Sequence, residues 1–111
     1  VFLDQAKPSL ALARRNAEAA RYGDRCRFLL GDALAPPKAE AACDLLFLDP
    51  PYGQELIGPA LSAFGRAGWA AEGAIVIAEA AEAEAAPRAG GFETIDERRY
   101  GAARLWFLRR C

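Results

Sequence analysis

The segment Asp49-Pro50-Pro51-Tyr52 contains the residue types in this chain that best suit a chemical task. Two consecutive prolines fix the φ angle at both positions, so the backbone around them is rigid. That rigidity would hold the Asp49 carboxylate and the Pro50 carbonyl as two acceptors on one side, which suits an amino group with two hydrogens. The ring of Tyr52 offers a flat face on which a planar base can stack. A tight turn that ends a strand would explain the prolines but not the whole set.

Two further aspartates follow predicted strands. Asp4 ends the apolar run that opens the chain, and Asp32 follows another apolar run and Gly31. In an open parallel sheet, ligands bind beyond the carboxyl ends of the strands, so Asp4, Asp32 and Asp49 would meet at one edge. Either of the first two could simply cap a helix. Alternatively, Asp4 would bind the ribose hydroxyls of a nucleoside and Asp32 would lie near its adenine.

Strands that alternate with helices would position these residues. Apolar residues at helical spacing predict two helices, with Pro8 and Pro59 in their first turns. Gly23 is predicted to end the first helix, and Gly68 lies near the end of the second. Continuous apolar runs predict strands. The predicted strands cover residues 1–4, 27–30, 44–49 and 74–78.

The predicted order of elements indicates an α/β fold. The runs 44–49 and 74–78 are apolar through their centres, which predicts strands of a parallel sheet with helices on both faces. Residues 79–91 are predicted to form a helical turn and a loop. Residues 92–100 and 102–109 are predicted to form an antiparallel hairpin.

Length and composition exclude several classes of protein. The 111 residues suffice for one domain spanning 1–111, and 53% hydrophobic with 26% charged residues is a globular composition. No apolar run approaches the ~20 residues of a membrane span. The chain has no histidine, and its three cysteines form no CxxC pair, which argues against histidine catalysis and a metal site. A net charge of −1 does not by itself indicate a nucleic-acid partner.

The Asp-Pro-Pro-Tyr segment after an apolar strand resembles the [Asp/Asn]-Pro-Pro-[Tyr/Phe] motif of S-adenosylmethionine-dependent amino-methyltransferases. The Gly68-Trp69 turn and the closing hairpin at Tyr100-Gly101 narrow the resemblance to the C-terminal part of RsmD-like 16S ribosomal RNA guanine-N2 methyltransferases. The resemblance covers nearly the whole chain. It implies a Rossmann-like class I methyltransferase fold with a mostly parallel sheet, a cytoplasmic enzyme, and ribosomal RNA or the small ribosomal subunit as its partner.

The resemblance also implies roles for individual residues. Asp4 matches the acid that binds the cofactor ribose, Asp32 with Ala33 matches the acid on the adenine side, and residues 49–52 match the catalytic loop. The first strand and Gly-rich loop of the family have no counterpart in this chain, and we expect them upstream of Val1. Residues 1–111 alone would therefore contain half of a cofactor site, and we expect them to be inactive by themselves.

Other functions remain open from the sequence. A DNA adenine-N6 or cytosine-N4 methyltransferase could use the same motif, although residues 53–68 leave no room for a target-recognition insertion. A glutamine methyltransferase would use Asn where this chain has Asp49. A non-catalytic RNA-binding module could keep the fold without turnover.

Substitution of Tyr52 tests the stacking role. We expect Tyr52→Ala to lower methyl transfer more than Tyr52→Phe, because base stacking is worth ~1–3 kcal/mol and a ring without its hydroxyl still stacks. Methyl transfer by the full-length variants would be compared with that of the wild type. Equal losses in the two variants would show that the hydroxyl matters and that stacking is not the role of Tyr52.

Overall fold

The computed structural model describes residues 1–51 and 53–111 and shows a mixed α/β fold. The predicted alternation of strands and helices, closed by a hairpin, is confirmed. In chain order the elements are β1 (Phe2–Asp4), α1 (Lys7–Ala19), a 3-10 turn (Gly23–Arg25), β2 (Phe28–Leu30), β3 (Cys43–Leu48), α2 (Ile57–Arg66), β4 (Ala70–Ala81), β5 (Phe92–Tyr100) and β6 (Ala103–Arg110).

Two sheets form among the described residues. Strands β1 and β2 pair in parallel, and a second sheet has the order β3-β4-β6-β5. In the second sheet β3 and β4 are parallel, while β4 with β6 and β5 with β6 are antiparallel. Parallel pairing is thus confined to the strands that precede the candidate site residues, and the hairpin extends the sheet on the other side of β4.

The core lies between α2 and the centre of the four-stranded sheet. Helix α2 places Ile57, Ala60 and Leu61 on one face at helical spacing, and all three are buried. They pack with Val76 of β4 and Leu108 of β6. Leu61, Val76 and Leu108 are the largest fully enclosed side chains among the described residues, so this contact anchors the helix that follows the candidate catalytic segment.

The prediction that helices cover both faces of β3 is wrong for this chain. Leu45 is 50% exposed and Phe47 is 72% exposed. Strand β3 is the edge of its sheet in the described pairings, and α1 packs against β1 and β2 instead. An apolar run shows that both faces of a strand can be buried, but the elements that cover it are set by the packing of the whole fold.

One of the two helices ends where the sequence predicts, and the other does not. Helix α2 ends as predicted, because Gly68 adopts a φ of 82° and the Trp69 N–H donates to the Phe64 carbonyl. Helix α1 ends before Gly23, since Arg21 takes the left-handed conformation with a φ of 64°. Its last turn closes through the N–H of Tyr22, which donates to the Ala17 carbonyl.

Two connecting segments are held without helices of their own. The predicted helical turn in residues 79–91 is wrong, because β4 continues to Ala81 and a turn and irregular chain follow. The segment before β3 is anchored by the Trp69 indole N–H, which donates to the Pro37 carbonyl at 2.7 Å. Among the described residues, no helix has the length and apolar character needed to cross a membrane.

The core position of Leu61 generates a stability prediction. We expect Leu61→Ala to lower the free energy of unfolding by ~2–5 kcal/mol, because it leaves a cavity beneath the sheet. The matched control is Leu12→Ala on α1, where the side chain is 51% exposed and the expected change is within ~0.5 kcal/mol. Urea unfolding of the full-length variants measures both, and equal losses would contradict the core position of Leu61.

Candidate active site

A pair of carboxyl groups forms where the parallel pairing of β3 with β4 ends. Leu48 of β3 pairs with Ala78 of β4, so the next residues, Asp49 just past β3 and Glu79 within β4, lie side by side. The two carboxyl groups are close enough for the charge of Glu79 to act on Asp49. Asp49 is exposed and Glu79 is half-buried, so the pair lies at the surface, open to a ligand above the sheet.

The neighbourhood of Asp49 changes its acidity. Loss of water around the carboxyl raises the pKa of Asp49 above its ordinary value of 3.8, and the charge and hydrogen bond of Glu79 raise it further. Such a pair can accept hydrogen bonds from a ligand and can also take up a proton.

The prolines carry the chain out of β3 beside this pair. Pro50 is half-buried and Pro51 is exposed. Tyr52 lies outside the described residues, so its stacking role stays a prediction. The chain then turns through Gly53 with a φ of 80° and Glu55 with a φ of 50°.

Glu84 connects this turn to the end of β4. Its Oε2 accepts the N–H of Ala81 at 2.7 Å, and its Oε1 accepts the N–H of Glu55 at 3.1 Å. The N–H groups of Ala81, Glu55 and Gly53 together outweigh desolvation and lower the pKa of Glu84, because they stabilise its ionised form.

Neither Glu79 nor Glu84 was predicted as a site residue. The sequence could have indicated Glu79 as a candidate, because it follows the apolar run 74–78 just as Asp49 follows the apolar run before it. No sequence pattern could have indicated Glu84, since its partner Glu55 is 29 residues away in the sequence.

The predicted cofactor residues Asp4 and Asp32 lie together at the ends of β1 and β2. Asp4 pairs with Leu30, and the N–H of Gly31 donates to the Asp4 carbonyl at 3.0 Å. Neither aspartate is the N-cap of a helix, because α1 has Ala6 in that position and no helix begins directly after Asp32. The helix-capping interpretation is therefore wrong.

Both aspartates instead stabilise short turns. Oδ1 of Asp4 accepts the N–H of Ala6, and Oδ1 of Asp32 accepts the N–H of Leu34, each at 2.8 Å. These bonds fix the carboxyl groups at the sheet edge and engage one oxygen of each. Ala33 is exposed within the second turn, where its small side chain adds little bulk. Two fixed carboxylates at neighbouring strand ends fit the hydroxyl and amino groups of a nucleoside.

The structure thus groups the predicted residues into two sets. Asp4, Asp32 and Ala33 lie on the β1–β2 sheet, and Asp49 and Pro50 lie on the larger sheet with Glu79. Within the described residues, no strand pairing joins the two sheets. Nor does any cluster of three or more Asp, Glu or Cys side chains in that part of the chain form a metal site.

One known protein family matches nearly the whole chain. The model of the family described as Conserved hypothetical protein 95 matches residues 1–109. The chain belongs to this family. Membership agrees with the resemblance to RsmD-like methyltransferases that the sequence motifs indicate. No curated protein matches the sequence.

Solved structures of proteins from three bacteria share the fold of this chain. A candidate methylase from Haemophilus influenzae is 18% identical with a TM-score of 0.78, and the match covers 98% of this chain and 70% of that one. A conserved hypothetical protein from Streptococcus pyogenes is 20% identical with a TM-score of 0.81, covering 97% and 69%. A candidate methyltransferase from Escherichia coli is 17% identical with a TM-score of 0.80, covering 97% and 62%. These similarities confirm the α/β fold class.

The carboxyl pair generates a prediction about acidity. We expect Glu79→Gln to lower the pKa of Asp49 toward 3.8, so that Asp49 ionises at lower pH, because the variant removes the repelling charge. The shift should be partial, since desolvation of the Asp49 carboxyl remains.

Carbon-13 NMR titration of the Asp49 carboxyl would measure this change. The control is Glu82→Gln, since Glu82 is exposed and its carboxylate faces Arg99 at 3.9 Å. An Asp49 pKa that responds equally to both substitutions would contradict a specific pair with Glu79.

Proposed function

We propose that this protein transfers a methyl group from S-adenosylmethionine to the exocyclic amino group of a nucleic-acid base, specifically N2 of a guanine in 16S ribosomal RNA. The observation that carries the proposal is the Asp49–Glu79 carboxyl pair beside the rigid Pro50-Pro51 turn. The names of the structurally similar proteins from H. influenzae and E. coli support methyl transfer as the reaction class.

Asp49 and Pro50 would prepare the amino group for attack. An amino group on an aromatic base is a weak nucleophile, because its lone pair is delocalised into the ring. Hydrogen bonds from its two hydrogens to the Asp49 carboxylate and the Pro50 carbonyl favour a pyramidal nitrogen with a localised lone pair. Holding that nitrogen in line with the methyl group contributes much of the rate enhancement.

The proposed methyl transfer needs only the amino group, S-adenosylmethionine and an acceptor for one proton. When bound, S-adenosylmethionine supplies a methyl group on a positively charged sulfur. The base nitrogen would take that methyl group in place of the sulfur, and one amino hydrogen would then have to leave as a proton. In this proposal Asp49 would accept that proton, because desolvation and the charge of Glu79 raise its pKa and so favour its protonated form.

Two neighbouring carboxylates favour guanine over the other bases. The edge of guanine that carries N2 presents two adjacent donors, the N2 amino group and the N1–H. Adenine and cytosine present one amino group beside a ring nitrogen that accepts. An ionised Glu79 next to Asp49 would accept from N1–H but would repel an acceptor nitrogen. A carboxylate at Glu79 therefore disfavours a DNA adenine-N6 or cytosine-N4 methyltransferase.

The cofactor is assigned to the β1–β2 sheet in this proposal. Asp4 would bind the ribose hydroxyls, and Asp32 with Ala33 would contact the adenine. The fixed carboxyl groups of the two turns support this assignment. Ribosomal RNA or the small ribosomal subunit is the proposed partner, and the cytoplasm the proposed location.

Replacement of Asp49 tests the proposed chemistry. We expect Asp49→Ala in the full-length protein to lower methyl transfer by roughly 100- to 1000-fold, as expected when one stabilising contact in the transition state is lost. Cofactor affinity should change little, because Asp4 and Asp32 are assigned to the cofactor. The control is Asp44→Ala, an exposed acid at the opposite end of β3.

Transfer of a labelled methyl group to ribosomal RNA would measure the rate, and calorimetry the cofactor affinity. Nucleoside analysis of the product should show N2-methylguanosine. Methylated adenosine or cytidine would contradict the base assignment, and near wild-type transfer by Asp49→Ala would contradict the role of Asp49.

A further inference from the structure

The carboxylate of Glu84 joins two segments that are distant in the sequence. One oxygen accepts the N–H of Ala81 at the end of β4, and the other accepts the N–H of Glu55 in the turn after Pro51. Both donors are backbone groups, and both bonds are to a charged acceptor, which makes them stronger than neutral hydrogen bonds. Glu84 itself is half-buried.

The turn that Glu84 contacts has an unfavourable backbone. Glu55 has a φ of 50°, a left-handed conformation that residues with a Cβ rarely adopt, and Gly53 nearby has a φ of 80°. Such conformations persist only when surrounding contacts enforce them. Residues 53–55 are all exposed, so burial contributes little to holding them, and the carboxylate of Glu84 supplies the long-range contact.

We propose that Glu84 is a positioning residue for the catalytic segment: its carboxylate holds residues 53–55 against the end of β4, and so fixes the segment 49–51 from its downstream side. This role rests on the proposed function, since it supposes that the base binds at that segment. Strand β4 also carries Glu79, so the same contact keeps the turn in register with the carboxyl pair. A turn ordered in advance does not have to be ordered when the base binds.

Three variants of the full-length protein test this role in methyl transfer. We expect Glu84→Ala to lower kcat/KM for the RNA by about 10- to 100-fold, the loss expected from hydrogen bonds to a charged group, with the affinity for S-adenosylmethionine unchanged within about two-fold. Glu84→Gln should recover part of the loss, because an amide has one acceptor oxygen and can hold one of the two N–H groups. Glu82→Ala is the matched control. Glu82 lies in the same turn after β4 as Glu84, but it is exposed and its carboxylate faces Arg99.

Amide hydrogen exchange measures the same contact without any substrate. We expect exchange at Gly53 and Glu55 to become about 10-fold faster in Glu84→Ala and to stay at the wild-type rate in Glu82→Ala. Unfolding free energies of the variants should stay close together, because residues 53–55 are exposed. If Glu84→Ala does not fold, Glu84→Gln carries both measurements.

The two experiments separate failure of this role from failure of the proposed function. Unchanged exchange at Glu55 overturns the positioning role, whatever the protein methylates. Faster exchange with unchanged kcat/KM also overturns it, because the turn would then not matter for the base. A wild-type protein that methylates no RNA overturns the proposed function, and the positioning role with it, even where exchange shows that Glu84 holds the turn.

Discussion

The parallel pairing of β3 with β4 is the constraint on which the candidate site depends. Its register sets Leu48 opposite Ala78, which brings Asp49 and Glu79 together at the next position. Val76 and Ala78 are fully buried against α2 and β6. A slip of one residue would turn these side chains toward the other face of the sheet, so the apolar core fixes the register. The carboxyl pair is therefore a consequence of core packing.

The candidate catalytic segment, residues 49–51, is held from two directions by different means. Upstream, Pro50 and Pro51 restrict the backbone through their own rings, which is a local effect of the covalent structure. Downstream, the chain turns through Glu55 in a left-handed conformation, and the carboxylate of Glu84 accepts its N–H. Restriction on both sides suits a reaction in which positioning supplies most of the rate enhancement.

The acidic residues of the two sheets are held in different ways. Asp4 and Asp32 each use one oxygen to close a turn, so they are fixed at the end of the β1–β2 pair. Asp49 instead has another carboxyl group beside it, and its pKa is raised. Acids fixed by backbone N–H groups suit a role as steady hydrogen-bond acceptors, whereas a carboxyl group with a raised pKa is better suited to taking up a proton.

Much of the fold could be predicted from the sequence, because its signals are local. Apolar runs and helical spacing predicted the order of the strands and helices, and Gly68 predicted the end of α2. The prediction at Gly23 was wrong, because Arg21 takes the left-handed position that glycine was expected to fill. That choice depends on how the last turn of α1 meets the following chain, which no residue preference specifies.

The sequence by itself determined the candidate catalytic segment and the acids at the strand ends, since residue type and the preceding apolar run suffice to identify them as candidates. Only the tertiary structure decided their partners. Glu79 joins Asp49 through the register of two strands, and Glu84 reaches Glu55 across 29 residues of chain. The exposed outer face of β3 was likewise decided by which elements pack beside it. Contacts between distant segments depend on how the whole chain packs, and local sequence patterns carry no record of that packing.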